Sequence, residues 1–169
     1  KAILEGMALF FNIDFMKLRT LLSGILFLPA IASLAQVYNQ QSPLAHTFSI
    51  VARDSVTGEM AVGVQSHWFS VGTAVPWGEA GVGVVATQSF VNKSYGIKGL
   101  ALMKNGKSAP EALKELLAQD EGREVRQVAM IDSNGKLDAY TGKNCIDYAS
   151  QIVGRNYSVQ SNMMLNNRV

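Results

Sequence analysis

The stretch TFSIVARDSVTGEMAVGVQSHW, residues 47–68, decides the fold. In residues 47–53 apolar side chains recur at every second position, which is typical of a β-strand. Residues 54–59 form a polar turn that contains a glycine, and residues 60–68 alternate again. The stretch therefore predicts a β-hairpin at the start of the folded part of the chain.

The sequence that follows this hairpin predicts one more strand and then helices. Residues 82–91 are apolar at first and polar later, and they predict a third strand. A short helix ends at Asn105-Gly106, a C-cap signature. A second helix begins at Ser108-Ala109-Pro110-Glu111, a capping box with proline in the first turn.

A second hairpin and a last strand complete the pattern. Residues 125–132 and 136–141 flank Ser133-Asn134-Gly135, where Asn-Gly favours a tight primed turn. Residues 157–163 predict a final strand. Two hairpins with helices between them indicate an α/β (α+β) layered sandwich whose strands are largely antiparallel.

Upstream of the first hairpin the sequence has the three parts of a secretory signal peptide. A basic segment starts at Met16, an apolar stretch of 12 residues covers 21–32, and Ser33-Leu34-Ala35 supplies the small residues of a cleavage site. The apolar stretch is shorter than the roughly 20 residues of a membrane-spanning helix. We therefore predict an exported protein, periplasmic or extracellular, that contacts the membrane only before cleavage.

The domain organisation follows from these segments. The terminal sequences carry no natural start or helix cap, and we interpret the chain as open at both ends. The predicted parts are upstream sequence (1–15), the signal peptide (16–35), a flexible lead-in (36–46) and an incomplete domain (47–169).

Composition and charge narrow the classes of partner and cofactor. The formal net charge is +2, and no cluster of Lys and Arg supplies the basic stripe that nucleic acid requires. Cys145 is the single cysteine, which excludes an intramolecular disulfide and predicts a buried thiol. His46 and His67 are not at metal-ligand spacing, and Gly81-Val82-Gly83 lacks the lysine of a phosphate loop. We predict no metal and no cofactor.

The order of short motifs over residues 47–163 resembles a bacterial family, domain of unknown function 1028. The motifs are Thr47–Asp54, Val71-Gly72 with Val75-Pro76-Trp77, Ala80–Gly83, Ala86-Thr87-Gln88, Tyr95-Gly96, Gly122–Val128, Thr141-Gly142 with Cys145, and Val159-Gln160 with Asn162-Met163. The resemblance implies an N-terminal-nucleophile hydrolase-like fold, an αββα sandwich in which two antiparallel sheets lie between helical layers. It also implies that the C-terminal part of the domain is missing.

Thr47 is the candidate catalytic residue under this resemblance, because it opens the first strand, where such a fold places its nucleophile. In these enzymes the side chain of the first residue attacks an amide carbonyl, and its α-amine, with a pKa of about 8, acts as the base. Cleavage after Ala35 leaves residues 36–46 ahead of Thr47. Activity therefore requires a second cut between His46 and Thr47, and the alternative is an ordinary strand threonine.

Several polar side chains on strands are candidates for substrate binding. Ser66 ends the second strand, and its side chain points away from that of the adjacent His67. Gln88, Ser89 and Asn92 interrupt an apolar strand, so they either join the two sheets or line a pocket. No lysine occurs between Thr47 and Asn92, which departs from related hydrolases.

Arg126 and Asn162 complete the set of candidate site residues. The guanidinium of Arg126 either clamps a substrate carboxylate or forms an internal ion pair with Glu124 or Asp138. Asn162 is a candidate for an oxyanion or amide contact.

Three functions are consistent with these features. The first is an exported amidohydrolase-like protein that acts on a small amide, a peptide or a cell-wall fragment. The second is a catalytically silent domain of the same fold that binds an envelope ligand or partner. The third is a structural subunit, homo-oligomers included, that assembles through exposed Trp68, Phe69 and Trp77.

Overall fold

Two four-stranded antiparallel sheets and two α-helices make up residues 46–166, the part of the chain that the computed structural model describes. The predicted upstream segment, signal peptide and all but the last residue of the lead-in lie outside these residues. The strands are β1 (Thr47–Arg53), β2 (Met60–Ser66), β3 (Pro76–Glu79), β4 (Gly83–Ser89), β5 (Arg126–Asp132), β6 (Leu137–Thr141), β7 (Ser150–Val153) and β8 (Tyr157–Asn162), and the helices are α1 (Ser94–Lys104) and α2 (Ala109–Gln119).

The first sheet has the strand order β2-β1-β8-β7 and the second has the order β3-β4-β5-β6. Both predicted hairpins are present, and all strand pairs are antiparallel. The sequence patterns missed β3 and β7. Each has four residues and lies at a sheet edge, and such a segment is too short to show a period of two.

The turn of the second hairpin lies at the predicted residues, but it is a three-residue loop and not a tight primed turn. Asp132 and Lys136 pair through their backbones, so three residues form the loop. Gly135 has φ 81°, the left-handed conformation that closes a three-residue hairpin loop. The carboxylate of Asp132 accepts hydrogen bonds from the amides of Asn134 and Lys136, which stabilises the longer loop.

The hydrophobic core has two layers. Between the second sheet and the helices, Val85, Val128 and Met130 pack against side chains of α1 and α2. Between the two sheets, Val51 and Ile131 belong to a second buried cluster. No helix within residues 46–166 is long and apolar enough to cross a membrane.

The helices of the described residues cover the second sheet and leave the outer face of the first sheet open. In β1 the side chains of Thr47, Ser49 and Val51 are buried between the sheets, whereas Phe48 and Ile50 on the opposite face are 44% and 42% exposed. The α+β class and the two antiparallel sheets are therefore confirmed. Of the two helical layers in the expected αββα order, the described residues contain the one on the second sheet.

The capping box of α2 is present as predicted. The amide and hydroxyl of Ser108 donate to the Glu111 carboxylate at 2.8 and 2.6 Å, and the Glu111 amide donates to the Ser108 hydroxyl. These contacts hold the pKa of Glu111 below its usual range. They supply partners for donors that the first turn of a helix leaves free.

We expect Ser108→Ala to lower the free energy of unfolding by about 1 kcal/mol, because the first turn of α2 loses its side-chain acceptor. Urea denaturation followed by circular dichroism measures this change. Ser55→Ala, at an exposed serine in the turn of the first hairpin, is the matched control and should leave stability unchanged. Equal stability of both variants would show that the capping box contributes nothing.

Candidate functional site

A cavity of about 430 Å³ opens at the end of the sandwich where β1 starts and β2 and β4 end. Its wall is mostly apolar, and among the described lining residues Lys93 carries the only charge. The residues that line it are Thr47, Ser66, Trp68, Phe69, Ser70, Val71, Ala74, Val75, Gln88, Ser89, Phe90, Val91, Lys93, Ile146 and Met163.

Thr47 and Ser66 meet at the edge of this cavity. The β1–β2 register pairs the two residues directly, and their hydroxyl oxygens are 2.8 Å apart. Thr47 is 6% exposed, so its hydroxyl is largely shielded from solvent. Ser66 Oγ also accepts a hydrogen bond from the Trp68 amide at 3.0 Å, which fixes the position of the serine side chain.

His46, the residue before Thr47, is held by the neighbouring strands. Its Nδ1 lies 2.8 Å from the backbone oxygen of Met163, and its own backbone oxygen accepts from the His67 amide at 3.2 Å. The peptide bond between His46 and Thr47 is therefore placed at the mouth of the cavity by contacts on both sides.

The backbone around the cavity is strained. Three non-glycine residues in the described part of the chain have a left-handed backbone, namely Ser70 (φ 58°), Ser89 (φ 67°) and Met163 (φ 56°), and all three line the cavity. Such a conformation costs roughly 1–3 kcal/mol at a residue with a side chain and is concentrated at functional sites. Contacts in the surrounding structure must therefore offset this conformational free energy, and in doing so they stabilise a particular cavity shape.

Behind the cavity, buried amide side chains link the two sheets. Gln88 Nε2 and Asn162 Nδ2 both donate to Gln127 Oε1, at 2.8 and 3.0 Å. All three residues are at most 1% exposed. Of the two roles that the sequence left open for Gln88, the structure shows the second: Gln88 lines the cavity, and its hydrogen bond to Gln127 stays within the second sheet. Gln127 and Asn162 make the link to the first sheet.

Gln127 is the centre of this network. Its Nε2 lies within hydrogen-bond distance of three acceptors, which share its two hydrogens: Thr141 Oγ1 at 2.9 Å and the backbone oxygens of Ser150 and Ser161 at 3.1 and 3.0 Å. Gln88 Oε1 and Asn162 Oδ1 are buried and have no hydrogen-bond partner among the described residues. Buried carbonyl oxygens without a partner are uncommon, and here two lie in one network next to the cavity.

Asn92, Arg126 and Asn162 do not line this cavity. Asn92 Oδ1 accepts from the amide and hydroxyl of Ser94 at 3.1 and 2.7 Å, so it caps the start of α1. Arg126 donates to Asp120 Oδ2 at 2.9 Å and to the backbone oxygen of Phe90 at 2.7 Å. Its ion-pair partner is thus Asp120, because the guanidinium turns toward the C-terminal end of α2.

The Asp120 carboxylate is surrounded by donors. Burial alone would raise its pKa, but Arg126, the Tyr95 hydroxyl and the Gly122 amide donate to it and hold the pKa below the ordinary 3.8. For Tyr95, burial and the hydrogen bond to Asp120 raise the pKa well above its usual range. The cluster ties α1, α2 and β5 together.

Asp120→Asn should therefore lower the free energy of unfolding at pH 7 by about 1–3 kcal/mol, because a partly buried charge-assisted hydrogen bond is lost. Since folding lowers the pKa of this carboxyl, its stabilisation is present above the unfolded value of 3.8 and disappears as the pH falls below it. The difference between native and variant in urea denaturation should be large at pH 7 and small at pH 3. Asp138→Asn, at an exposed carboxylate that accepts only a local amide bond, is the control. A difference that is as large at pH 3 would contradict the ion pair.

Of the remaining predictions about single side chains, three are confirmed and one is wrong. Cys145 is free and 7% exposed, and burial raises its pKa, as expected for a structural thiol. Trp68 and Phe69 are exposed as predicted. The expectation for Trp77 was wrong, because its ring is half-buried over Gly96 and its Nε1 donates to the Ala74 backbone oxygen at 2.9 Å.

Several cavity residues could not be identified from the sequence. Lys93, Ile146 and Met163 come from loops and a strand end that are far apart in the chain, and no local pattern connects them. Within residues 46–166 no group of three or more His, Cys, Asp or Glu side chains is placed to hold a metal ion.

Comparison with known proteins identifies relatives over this region. A family model described as a family of unknown function (DUF1028) matches residues 47–169. A crystal structure of a DUF1028 protein from Silicibacter pomeroyi is similar, with a TM-score of 0.69 and 28% sequence identity over 72% of this chain and 57% of that one. The chain thus spans less than two thirds of that protein's length. Among curated proteins, none matches the sequence.

Proposed function

Because the chain belongs to the DUF1028 family, whose description assigns no activity, we propose its function from the cavity: an exported amide hydrolase in which Thr47 is an N-terminal nucleophile. The observation that carries this proposal is the Thr47–Ser66 hydroxyl pair, 2.8 Å apart at the edge of the cavity. A largely buried hydroxyl that opens onto a cavity of this size is suited to attack a bound carbonyl.

The proposed reaction begins when the peptide bond between His46 and Thr47 is cut, which gives Thr47 a free α-amine. Thr47 Oγ1 then attacks the amide carbonyl carbon, and the hydroxyl proton passes to that amine. As the carbon–nitrogen bond breaks, the same proton goes to the leaving amine, and an ester on Thr47 remains. Water, activated by the α-amine, hydrolyses the ester, releases the acid and regenerates Thr47.

Ser66 is proposed as the residue that orients Thr47. Its oxygen already accepts the Trp68 amide, so its own proton is available for Thr47 Oγ1. A hydrogen bond in that direction leaves the Thr47 proton free to reach the α-amine. Ser66 would thus position the nucleophile, although it would not itself react.

Two features of the surroundings support a built site. The three strained residues Ser70, Ser89 and Met163 all line the cavity, which is the arrangement expected where shape serves function. In addition, Thr47 begins β1, an inner strand of the first of the two stacked antiparallel sheets. This placement supports an N-terminal-nucleophile hydrolase-like fold.

Export and substrate class complete the proposal. The signal-peptide pattern over residues 16–35 supports a periplasmic or extracellular location. Outside the cytoplasm, small amides, peptides and cell-wall fragments are the candidate substrates, and the largely apolar wall of the cavity favours an apolar acyl group.

N-terminal sequencing and intact mass of the exported protein test the proposal. We expect the mature chain to start at Thr47, because only that end gives the nucleophile its base. Hydrolytic activity in a chain that still carries His46 would contradict the mechanism.

A second candidate is a catalytically silent domain that binds the same class of ligand. The contacts of His46 with Met163 and His67 favour it, since they hold an uncut chain in place at the cavity. The two functions give different results in the same sequencing experiment.

A further inference from the structure

The charge of the cavity wall comes from one side chain. Of the described residues that line the cavity, Lys93 alone is ionised, and none is an aspartate or a glutamate. Within residues 46–166 the ion pairs involve other lysines and arginines. The Asp120 carboxylate, which contacts Tyr95 at the start of α1, is already paired with Arg126. The ammonium of Lys93 therefore adds a positive charge to the wall that no described carboxylate compensates.

Exposed apolar side chains share the wall with this charge. Five large apolar residues that line the cavity are between 38% and 92% exposed, namely Trp68, Phe69, Phe90, Val91 and Ile146. Apolar side chains that are exposed together at one concave site are typical of a binding surface. A ligand that covers them also displaces water from the wall, and an ion pair with less water around it is screened less than one at an open surface.

The side chain of Lys93 is accessible to a bound ligand. Lys93 is exposed and directly precedes Ser94, the first residue of α1. A lysine ammonium is a compact point charge on a flexible four-carbon stem, so it can turn toward a single anionic group. An amide that combines an apolar acyl part with a carboxylate would therefore match both the apolar surface and the charge of this wall.

We propose that Lys93 is a specificity-determining residue that pairs with a carboxylate of the ligand, so that the cavity selects N-acylated amino acids over neutral amides. The inference rests on the proposed function in taking an amide as the substrate. It adds a charge to that substrate class, because a neutral amide leaves the Lys93 ammonium without an anionic partner. A cationic amide would be repelled by the same group.

The test compares two probes of the same shape, benzoylglycine and benzoylglycinamide, in which a neutral carboxamide replaces the carboxylate. Dissociation constants are measured at pH 7 by NMR titration of the exported protein. We expect benzoylglycine to bind about fivefold more tightly at low salt, because only this probe pairs with the ammonium. The preference should shrink at high salt, which screens the pair. Equal affinity, or no measurable binding of benzoylglycine, would overturn the inference.

Three variants show whether Lys93 is responsible. Lys93→Met removes the charge from an exposed side chain and should make the two affinities equal, whereas Lys93→Arg keeps the charge and should keep the preference. Lys98→Met is the matched control, because Lys98 is an exposed lysine of the same helix that does not line the cavity. It should keep the preference. A preference that survives in Lys93→Met, or that Lys98→Met abolishes equally, would contradict the assignment.

The same samples separate this inference from the proposed hydrolysis. Cleavage of the amide bond in either probe releases benzoate, whose NMR signals differ from those of the intact probes. A native protein that prefers benzoylglycine but releases no benzoate would contradict the hydrolysis of this substrate and leave the role of Lys93 standing. Release of benzoate from both probes with equal kcat/KM and equal affinity would support hydrolysis and overturn the role of Lys93.

Discussion

Thr47→Ala is expected to reduce amide hydrolysis by at least about 1,000-fold, because removal of an enzymatic nucleophile leaves only binding and polar stabilisation. The hydroxyl of Thr47 contacts Ser66 at the cavity edge, and among residues 46–166 no other threonine lines the cavity. Release of p-nitroaniline from small acyl anilides by the mature protein measures the effect. Thr47→Ser keeps a hydroxyl at the same place and should retain measurable hydrolysis.

The matched control for this prediction is Thr73→Ala. Thr73 is exposed, and its hydroxyl donates only to the Ser70 backbone oxygen at 3.1 Å, close to the cavity but outside its wall. Its rate should equal that of the native protein. Native-like hydrolysis by Thr47→Ala would remove Thr47 from the mechanism.

Ser66→Ala distinguishes a positioning role from a reacting one. If Ser66 orients Thr47, its loss should lower the rate by about tenfold and leave the N-terminal cut intact. A loss as large as that of Thr47→Ala would instead assign Ser66 to the reaction itself.

The meeting of Thr47 and Ser66 follows from the register of the first hairpin, whose strands and turn the sequence predicts. The polar turn of residues 54–59 brings Arg53 opposite Met60. Each following pair lies one residue further out on both strands, and the sixth of these pairs is Thr47 opposite Ser66. The periodic strands and the capped helix α2 are predictable for the same reason, since each pattern is local.

The rest of the site depends on contacts between distant segments. Several carboxylates lie near Arg126 along the chain. Only the packing of α2 against β5 determines that Asp120 is its ion-pair partner. From the sequence Trp77 is expected to be exposed. In the structure its ring packs over Gly96 of α1, because glycine has no side chain that would clash with it. Neither choice leaves a periodic signal in the sequence.

Gln127 connects the site to the stability of the whole sandwich. It lies on β5 of the second sheet, yet it bonds to β7 and β8 of the first sheet as well as to Thr141 of β6. The same side chain fixes the amide of Gln88 at the cavity. A change at Gln127 should therefore alter both properties together.

Gln127→Leu is expected to lower the free energy of unfolding by about 3–5 kcal/mol. The leucine would leave the buried Gln88 Nε2 and Asn162 Nδ2 without their acceptor, and each buried polar group without a partner costs about 1–3 kcal/mol. Some of these groups can find other partners, so the total stays below the sum. Urea denaturation at pH 7 measures the change.

Gln151→Leu provides the comparison, because Gln151 is only half-buried and its amide contacts Thr141 and the Ala139 backbone oxygen. Its cost should be about 1 kcal/mol, since water can reach the groups that it leaves. Equal costs for the two variants would mean that the contacts of Gln127 between the sheets add nothing. In that case the orientation of Gln88 would need another cause, and the stability of the cavity would have to come from the apolar packing between the sheets.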